Sequence, residues 1–109
     1  MAKLEATLHG NFSAILNAID TAVLEGSFTA SLEDESHFQS SSGRCVLRVY
    51  ERYSALGGNR VSLSVLLLET AHGVRLSAIA SGGSQAMFFK INTWGEDAFL
   101  DKLREILAG

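Results

Sequence analysis

The sequence has little of what marks a secreted, membrane-spanning or multidomain protein. Its 109 residues include no proline and one cysteine, Cys45. That cysteine has no second cysteine in the chain to pair with, so an internal disulfide is excluded, and a reducing compartment suits it. Apolar runs such as residues 65–68 fall far short of the roughly 20 residues that a membrane span needs. The first residues also lack the apolar stretch of a secretory signal. We therefore expect a cytoplasmic protein with no membrane association.

An excess of positive charge is missing as well. The chain has 12 acidic and 9 basic residues and a net charge of −3, whereas general nucleic-acid binders carry a strong excess of lysine and arginine. We therefore expect no nucleic-acid partner. Several arginines are nevertheless concentrated in the middle of the chain, so a locally basic sheet face is an open alternative.

Length and patterning predict one domain spanning residues 1–109. No repeat, low-complexity segment or linker-like stretch interrupts the chain, and its length suits a single compact core. Apolar and polar residues alternate in several regions, which indicates half-buried β-strands. These regions begin at Lys3, Phe28, Cys45, Val61 and Val74. The second region is followed by polar residues, so the end of its strand is unclear. Turns are predicted at 56–59 and 71–73.

Two further segments have the apolar spacing of helices. The first follows Asn11, whose side-chain oxygen can accept a hydrogen bond from a free amide of the first turn, and we expect it to stop at Gly26. The second follows a T-x-x-E capping box from Thr93 to Glu96. Together the elements predict a two-layer α+β fold, in which two helices pack on one face of a curved antiparallel sheet. The order is strand, helix, four strands, helix, with a short sixth strand at 87–91 as an open alternative. Apolar side chains are expected on the helix-covered face and hydroxyl groups on the other.

The stretch SGGSQAMFFKINTW, at 81–94, raises the question of a binding site. It lacks the parallel sheet and the following histidine that a hydrolase nucleophile elbow needs, and its glycines lack the P-loop signature. We favour a structural corner, in which the glycines allow a tight turn and the tryptophan closes the core. The alternative is a site for a small molecule or an anion. Its residues would be Ser81, Gly82, Gly83, Ser84, Gln85, Phe88, Lys90 and Trp94.

A second candidate site involves the arginines of the predicted sheet. Arg48 and Arg52 stand on one face of the third strand, and Arg75 lies on the polar face of the fifth. One interpretation is a solvated surface with cross-strand ion pairs. The other is an interaction face, because arginine is favoured in contacts with anions and protein partners. Its residues would be Arg48, Arg52, Ser62, Ser64, Arg75 and Ser77.

The sequence shows no constellation of catalytic or metal-ligating residues. The three histidines and Cys45 do not have the spacing of metal ligands, and neither a triad nor a spaced pair of carboxylates stands out. We therefore expect no enzymatic activity, no metal and no cofactor.

Two stretches, ERYSALGGNRVSLSVLL at 51–67 and SAIASGGSQAMFFKINTWGEDAFL at 77–100, are similar to those of a family of small bacterial proteins of unknown function. The resemblance implies a bacterial cytosolic protein and no particular activity. The order strand, helix, four strands, helix also resembles the repeat unit of the TATA-box-binding-protein fold. This second resemblance concerns topology alone, so it carries no function over.

These observations favour a non-enzymatic interaction domain that self-associates through its sheet. A sheet covered by helices on one side leaves the other side available to a second copy. The alternative is a small-molecule binder with a cleft between the sheet and the C-terminal helix. That cleft would be lined by Gln85, Phe88, Phe89 and Trp94.

Overall fold

The computed structural model describes residues 2–25, 30–53, 60–81 and 96–108. Their elements are β1 (Ala2–Leu8), α1 (Phe12–Glu25), β2 (Ser31–Ser40), β3 (Gly43–Tyr53), β4 (Arg60–Thr70), β5 (Gly73–Ser81) and α2 (Glu96–Ala108). The predicted α+β fold and its element order are confirmed. The alternative sixth strand at 87–91 and the predicted turn at 56–59 lie outside the described residues.

The strands of the described segments form a five-stranded sheet in the order β1-β5-β4-β3-β2. Each neighbouring pair is antiparallel. Three of the four pairings join strands that follow one another in the chain, so short connections are enough. The fourth brings β1 beside β5, and α1 therefore has to carry the chain from one outer strand, β1, across the sheet to the other, β2.

Helix α1 begins where the sequence predicts. The side-chain Oδ1 of Asn11 accepts a hydrogen bond from the backbone amide of Ala14 at 3.0 Å, which satisfies one of the free amides of the first turn. The apolar residues at helical spacing all face the sheet. They are Phe12, Ile15, Leu16, Ala18, Ile19, Ala22 and Val23.

A single core lies between the helices and one face of the sheet. Leu103 of α2 is fully buried in it, and α2 also contacts α1. From the sheet, alternate residues of four strands point into this core. They are Leu4, Leu8, Val46, Tyr50, Val61, Leu63, Val65, Leu67, Val74, Leu76, Ala78 and Ala80. The predicted burial of alternate apolar residues in β1, β4 and β5 is confirmed.

Strand β2 differs from its predicted extent. The alternation that begins at Phe28 suggests an early start with an unclear end, whereas β2 runs from Ser31 to Ser40 and contains the acidic residues 33–35. All of its residues are exposed, and a β-bulge interrupts its pairing between Leu32 and Asp34. An outer strand with neither face covered needs no apolar alternation, and a bulge shifts the phase of any alternation that exists. Phe28 itself lies outside the described residues.

Candidate functional site

The sheet has a second face, opposite the helices, which we call the open face. The strand pairings arrange its residues in rows that run across the strands from β1 to β2. The first row is Thr7, Arg75, Leu68, Cys45 and Phe38. The second is Glu5, Ser77, Leu66, Leu47 and Ser36. The third is Lys3, Ile79, Ser64, Val49 and Asp34.

The open face is apolar at its centre. Of the side chains that the structure describes, five large apolar ones are exposed on this face. Phe38 is 68% exposed, and Leu47, Leu66, Leu68 and Ile79 are between 37% and 42% exposed. The expectation that apolar side chains line only the helix-covered face is therefore wrong. Successive residues of β3 and β4 point to opposite faces of the sheet, and both faces receive apolar side chains from these strands. The face opposite the described helices is therefore not uniformly polar.

Polar groups surround this apolar centre. The half-buried hydroxyl-bearing residues Ser62, Ser64 and Ser77 lie on the open face with the exposed Arg75. Four of the six predicted interface residues are thus brought onto one face. The hydroxyl groups that the sequence predicts there are present, but they flank leucines rather than fill the surface.

Arg48 and Arg52 lie on the opposite face, which corrects the grouping of these two arginines with the serines. Arg48 is the cross-strand neighbour of Val65, and Arg52 is the neighbour of Val61. Both valines are core residues. Residues opposite each other in a sheet share a face, so both arginines point to the helix side.

Arg48 is the centre of a polar cluster at the margin of the core. Its Nε donates to Oε2 of Glu35 at 2.7 Å, and its Nη1 lies 3.3 Å from Oδ1 of Asp20. The hydroxyl of Tyr50 donates to the same Asp20 oxygen at 3.0 Å. The cluster links α1 to β2 and β3, because Asp20 belongs to the helix and the other residues to the strands. We infer a structural role for Arg48, which connects β2 and α1 to β3 through its ion pairs with Glu35 and Asp20.

The pKa values in this cluster follow from burial and from its charges. Burial raises the pKa of Tyr50 to about 12, and Asp20 adds to this rise while Arg48 opposes it. The hydrogen bonds from Arg48 and His37 lower the pKa of the Glu35 carboxyl. For Arg48, burial favours a lower pKa, but its hydrogen bonds to Tyr50 and Glu35 outweigh this and raise the pKa. At neutral pH the cluster therefore combines two ion pairs, of Arg48 with Glu35 and with Asp20, with the neutral phenol of Tyr50, which suits structural support.

Charges on the open face lie on its outer strands, at one end of β3 and β4, and at Arg75 on β5. On β1, Lys3 Nζ is 3.5 Å from Glu5 Oε1. Toward the far end of β3 and β4, Glu51 and Arg60 form an ion pair at 2.8 Å. Asp34 lies on β2, at the opposite end of the row that begins with Lys3. The apolar centre is thus bordered by a lysine on one side and an aspartate on the other.

Two shallow depressions lie on the open face among its described residues. One, of about 260 Å³, is lined by Glu5, Leu66, Leu68, Arg75, Leu76 and Ser77. Another, of about 110 Å³, is lined by Asp34, Glu35, Ser36, Leu47 and Val49. Both volumes are below the roughly 300–1,000 Å³ of typical ligand sites. The face is better shaped for a broad contact than for enclosing a small molecule.

A larger cleft, of about 390 Å³, lies between the end of β1 and helix α2. It is lined by Thr7, Leu8, His9, Arg104, Leu107 and Ala108. Like the predicted cleft, it lies between the sheet and the C-terminal helix, and the lining residues named here are described ones. The predicted lining residues Gln85, Phe88, Phe89 and Trp94 lie outside the described residues.

Little of the stretch at 81–94 falls within the described residues. Ser81 ends β5 and is partly buried. The other residues named for a ligand site there lie outside the described segments: Gly82, Gly83, Ser84, Gln85, Phe88, Lys90 and Trp94. The choice between a site and a corner at this stretch stays a prediction.

The described segments hold neither a metal-ligand cluster nor a helix that could span a membrane. Within residues 2–25, 30–53, 60–81 and 96–108, no three histidine, cysteine or acidic side chains are grouped as metal ligands would be. In the same segments, neither helix is long and apolar enough to cross a membrane.

One run of the sequence predicts the apolar centre of the open face, although the overall composition does not. Residues 65–68 are continuously apolar, which indicates a strand with apolar residues on both faces. Leu66 and Leu68 of this run lie on the open face. Phe38 gives no such signal, because its neighbours in β2 are polar and exposed.

Comparison with known proteins places the chain in a family but gives it no activity. No curated protein and no solved structure matches it, so the topological resemblance to the TATA-box-binding-protein fold stays a prediction. One family match covers residues 1–109, the whole chain. The protein therefore belongs to DUF6054, a family of unknown function.

Proposed function

We propose that this protein is a non-enzymatic interaction domain that self-associates by packing the open face of its sheet against that of a second copy. The observation that carries the proposal is the exposed apolar surface of the open face, formed among the described residues by four large side chains at its centre and by Phe38 on the outer strand β2. Contiguous exposed apolar surface of this kind marks interaction sites in soluble proteins. Packing against a second sheet would turn the open face into the inside of a sandwich.

The size of the open face supports a second copy as its occupant. Five strands about 4.8 Å apart, each about nine residues long, form a surface of about 700 Å². A standard stable interface buries about 800 Å² on each partner. Two open faces stacked on each other therefore offer nearly the area that a specific dimer needs. The serines and charges around the apolar centre resemble the polar rim of such interfaces.

The test is the oligomeric state of the protein and of two matched leucine variants. Leu66 and Leu32 are 39% and 38% exposed, but Leu66 lies on the open face whereas Leu32 is the neighbour of Tyr50 on the helix side. We expect sedimentation velocity at micromolar concentrations to show a dimer for the wild type and for Leu32→Ser. Leu66→Ser should shift the equilibrium to monomer by at least about tenfold, since burial of a leucine contributes about 1.5–3 kcal/mol. A wild-type chain that stays monomeric up to about 100 µM would refute self-association.

A second candidate function is supported by the cleft between β1 and α2. Its volume of about 390 Å³ lies within the range of ligand sites, and His9 and Arg104 supply donors that suit an anionic ligand. Thermal shift measurements with a panel of small phosphorylated and carboxylated metabolites test it. A ligand at this cleft should raise the melting temperature of the wild type and lose that effect in Arg104→Gln. No shift with any member of the panel would count against this function.

The proposed setting is the cytoplasm of a bacterium. An unpaired cysteine suits a reducing compartment, and Cys45 lies on the open face, where the proposed dimer would cover it. The proposal includes neither a nucleic-acid partner nor a cofactor.

A further inference from the structure

The arrangement of charges on the open face indicates how the two copies are oriented, provided that the proposed self-association holds. We propose that the two-fold axis of the dimer runs parallel to the strands and passes over β4, so that Lys3 of each copy lies over Asp34 of the other. The second copy is then a specific, oriented partner with two intermolecular ion pairs.

The first step of the argument is the row that contains both charges. Lys3 pairs with Ile79, Ile79 with Ser64, Ser64 with Val49 and Val49 with Asp34. Ser64, on β4, is therefore the middle of the row. Lys3 and Asp34 are its two ends, at equal distances from β4.

The second step is the effect of a two-fold axis along β4. Such an axis exchanges β1 with β2, and β5 with β3, between the two copies. Lys3 then faces Asp34 of the second copy, and Ile79 faces its Val49. Leu66 and Leu68, on β4 itself, pack against the same leucines of the second copy. In this row opposite charges meet at both ends, Ile79 meets Val49 between them, and Ser64 meets its own copy at the middle. The opposed charges are the pattern of electrostatic complementarity in specific interfaces.

Other axes give poorer contacts. An axis perpendicular to the strands, through the row of Leu66, exchanges the row of Arg75 with the row of Ile79. Lys3 would then face Thr7 of the second copy and Asp34 would face its Phe38, so neither charge meets an opposite one and Asp34 is buried against an apolar ring at a cost. An axis along β3 leaves β5 of each copy outside the interface, and Ile79 stays exposed.

The geometry of sheet packing allows the proposed contact. Aligned sheets in sandwiches lie about 10 Å apart with strand directions within about 30° of each other. A lysine side chain is long and flexible enough to follow an aspartate over such offsets. Lys3 is 57% exposed and Asp34 is exposed, so both are available to a second copy.

A zero-length cross-linking experiment tests this orientation with the unmodified sequence. Within one chain, Lys3 and Asp34 are four strand spacings apart, about 19 Å, so a carbodiimide can couple them only between copies. We expect mass spectrometry to find the Lys3–Asp34 cross-link, and a mixture of isotope-labelled and unlabelled protein to show that it joins different chains. Dimers in which this cross-link is absent while other intermolecular cross-links form would overturn the orientation.

Charge reversal provides an independent test. We expect Lys3→Glu and Asp34→Lys each to raise the dimer dissociation constant by about tenfold, because each change places like charges together at both ends of the interface. The double variant should return to within about threefold of the wild type, since it restores opposite charges. Glu25→Lys, an exposed change at the end of α1 on the helix side, is the matched control and should leave the dissociation constant unchanged.

The outcomes separate the two proposals. A monomeric wild type overturns self-association, and the orientation with it. A wild-type dimer whose double variant stays weak overturns only the orientation. If Glu25→Lys raised the dimer dissociation constant as much as the other single changes, the weakening would be an effect of net charge. This outcome would also overturn the orientation.

Discussion

Tyr50 illustrates how a single buried polar group is made compatible with the core. Its side chain is completely buried, yet its hydroxyl reaches Asp20 at 3.0 Å and Arg48 at 3.4 Å. The phenol therefore keeps its hydrogen bonds while its ring packs with the valines and leucines of the sheet. A buried hydroxyl without such partners would destabilise the protein.

The raised pKa of Tyr50 predicts an alkaline transition. The neutral phenol is favoured in the folded protein, where the pKa is about 12, against about 10 in the unfolded chain. The folded state therefore retains a proton that the unfolded state has lost between these pH values. The contribution of Tyr50 to the free energy of unfolding should be fully present below pH 10. It should fall by about 3 kcal/mol as the pH rises through 12.

Phenolate absorbance and urea unfolding measure this transition. The chain has two tyrosines, and we expect one phenolate to appear only near pH 12 in the wild type. Tyr50→Phe should remove that late step and flatten the alkaline fall in stability. A late step that persists in the variant would contradict the assignment to Tyr50.

At the scale of elements, the two described hairpin turns share one construction. The β2–β3 turn runs from Ser40 to Gly43, and the β4–β5 turn runs from Thr70 to Gly73. In each, the hydroxyl of the first residue donates to the carbonyl oxygen of the glycine and accepts from the amide two residues along. Both glycines have positive φ, 150° at Gly43 and 134° at Gly73. The same local chemistry therefore closes both hairpins.

Alanine substitutions at Gly10, Gly43 and Gly73 should destabilise the protein to different extents, according to the space around each glycine. A Cβ on Gly43 would lie 2.5 Å from the carbonyl oxygen of Glu69, one on Gly73 would lie 3.0 Å from that of Leu8, and one on Gly10 would meet nothing within 4 Å. Gly10 has φ 138°, so its substitution measures backbone strain alone, about 1–3 kcal/mol. We expect the loss of unfolding free energy in urea to rise from Gly10→Ala to Gly73→Ala to Gly43→Ala. An equal loss at all three would mean that strain, not close contact, decides.

At the scale of the whole molecule, folding and association should be coupled. A chain that dimerises only when folded gains stability by mass action, so its melting temperature rises with concentration. We expect calorimetry to show this rise for the wild type and for Leu32→Ser, and the same rise displaced to at least about tenfold higher concentration for Leu66→Ser. A wild-type melting temperature that does not change with concentration would count against the dimer.

The whole fold also shows which features a sequence can reveal. Alternation in β1, β4 and β5 identifies the core face, because Leu4, Leu63 and Leu76 each have polar neighbours. Strand β3 gives no such guidance, since Val46 and Tyr50 on one side are matched by Leu47 and Val49 on the other. Which side the helices cover depends on tertiary packing, and for that reason Arg48 is misplaced by sequence alone. The extent of strand β2 is not predicted from the sequence, because its exposed residues need no apolar alternation.

Strand β2 also has a consequence for how far assembly can proceed. A long outer strand is a ready template for sheet growth, and proteins blunt such edges with charges and bulges. Here a bulge follows Leu32, and three consecutive carboxylates, Glu33, Asp34 and Glu35, occupy the same place. If another molecule paired a strand with this edge of the sheet, the three carboxylates would lie beside that strand. Growth by edge pairing at β2 is thereby discouraged, while the proposed face-to-face packing would cover the apolar centre of the open face, so the end point that we expect is a closed pair rather than a fibre.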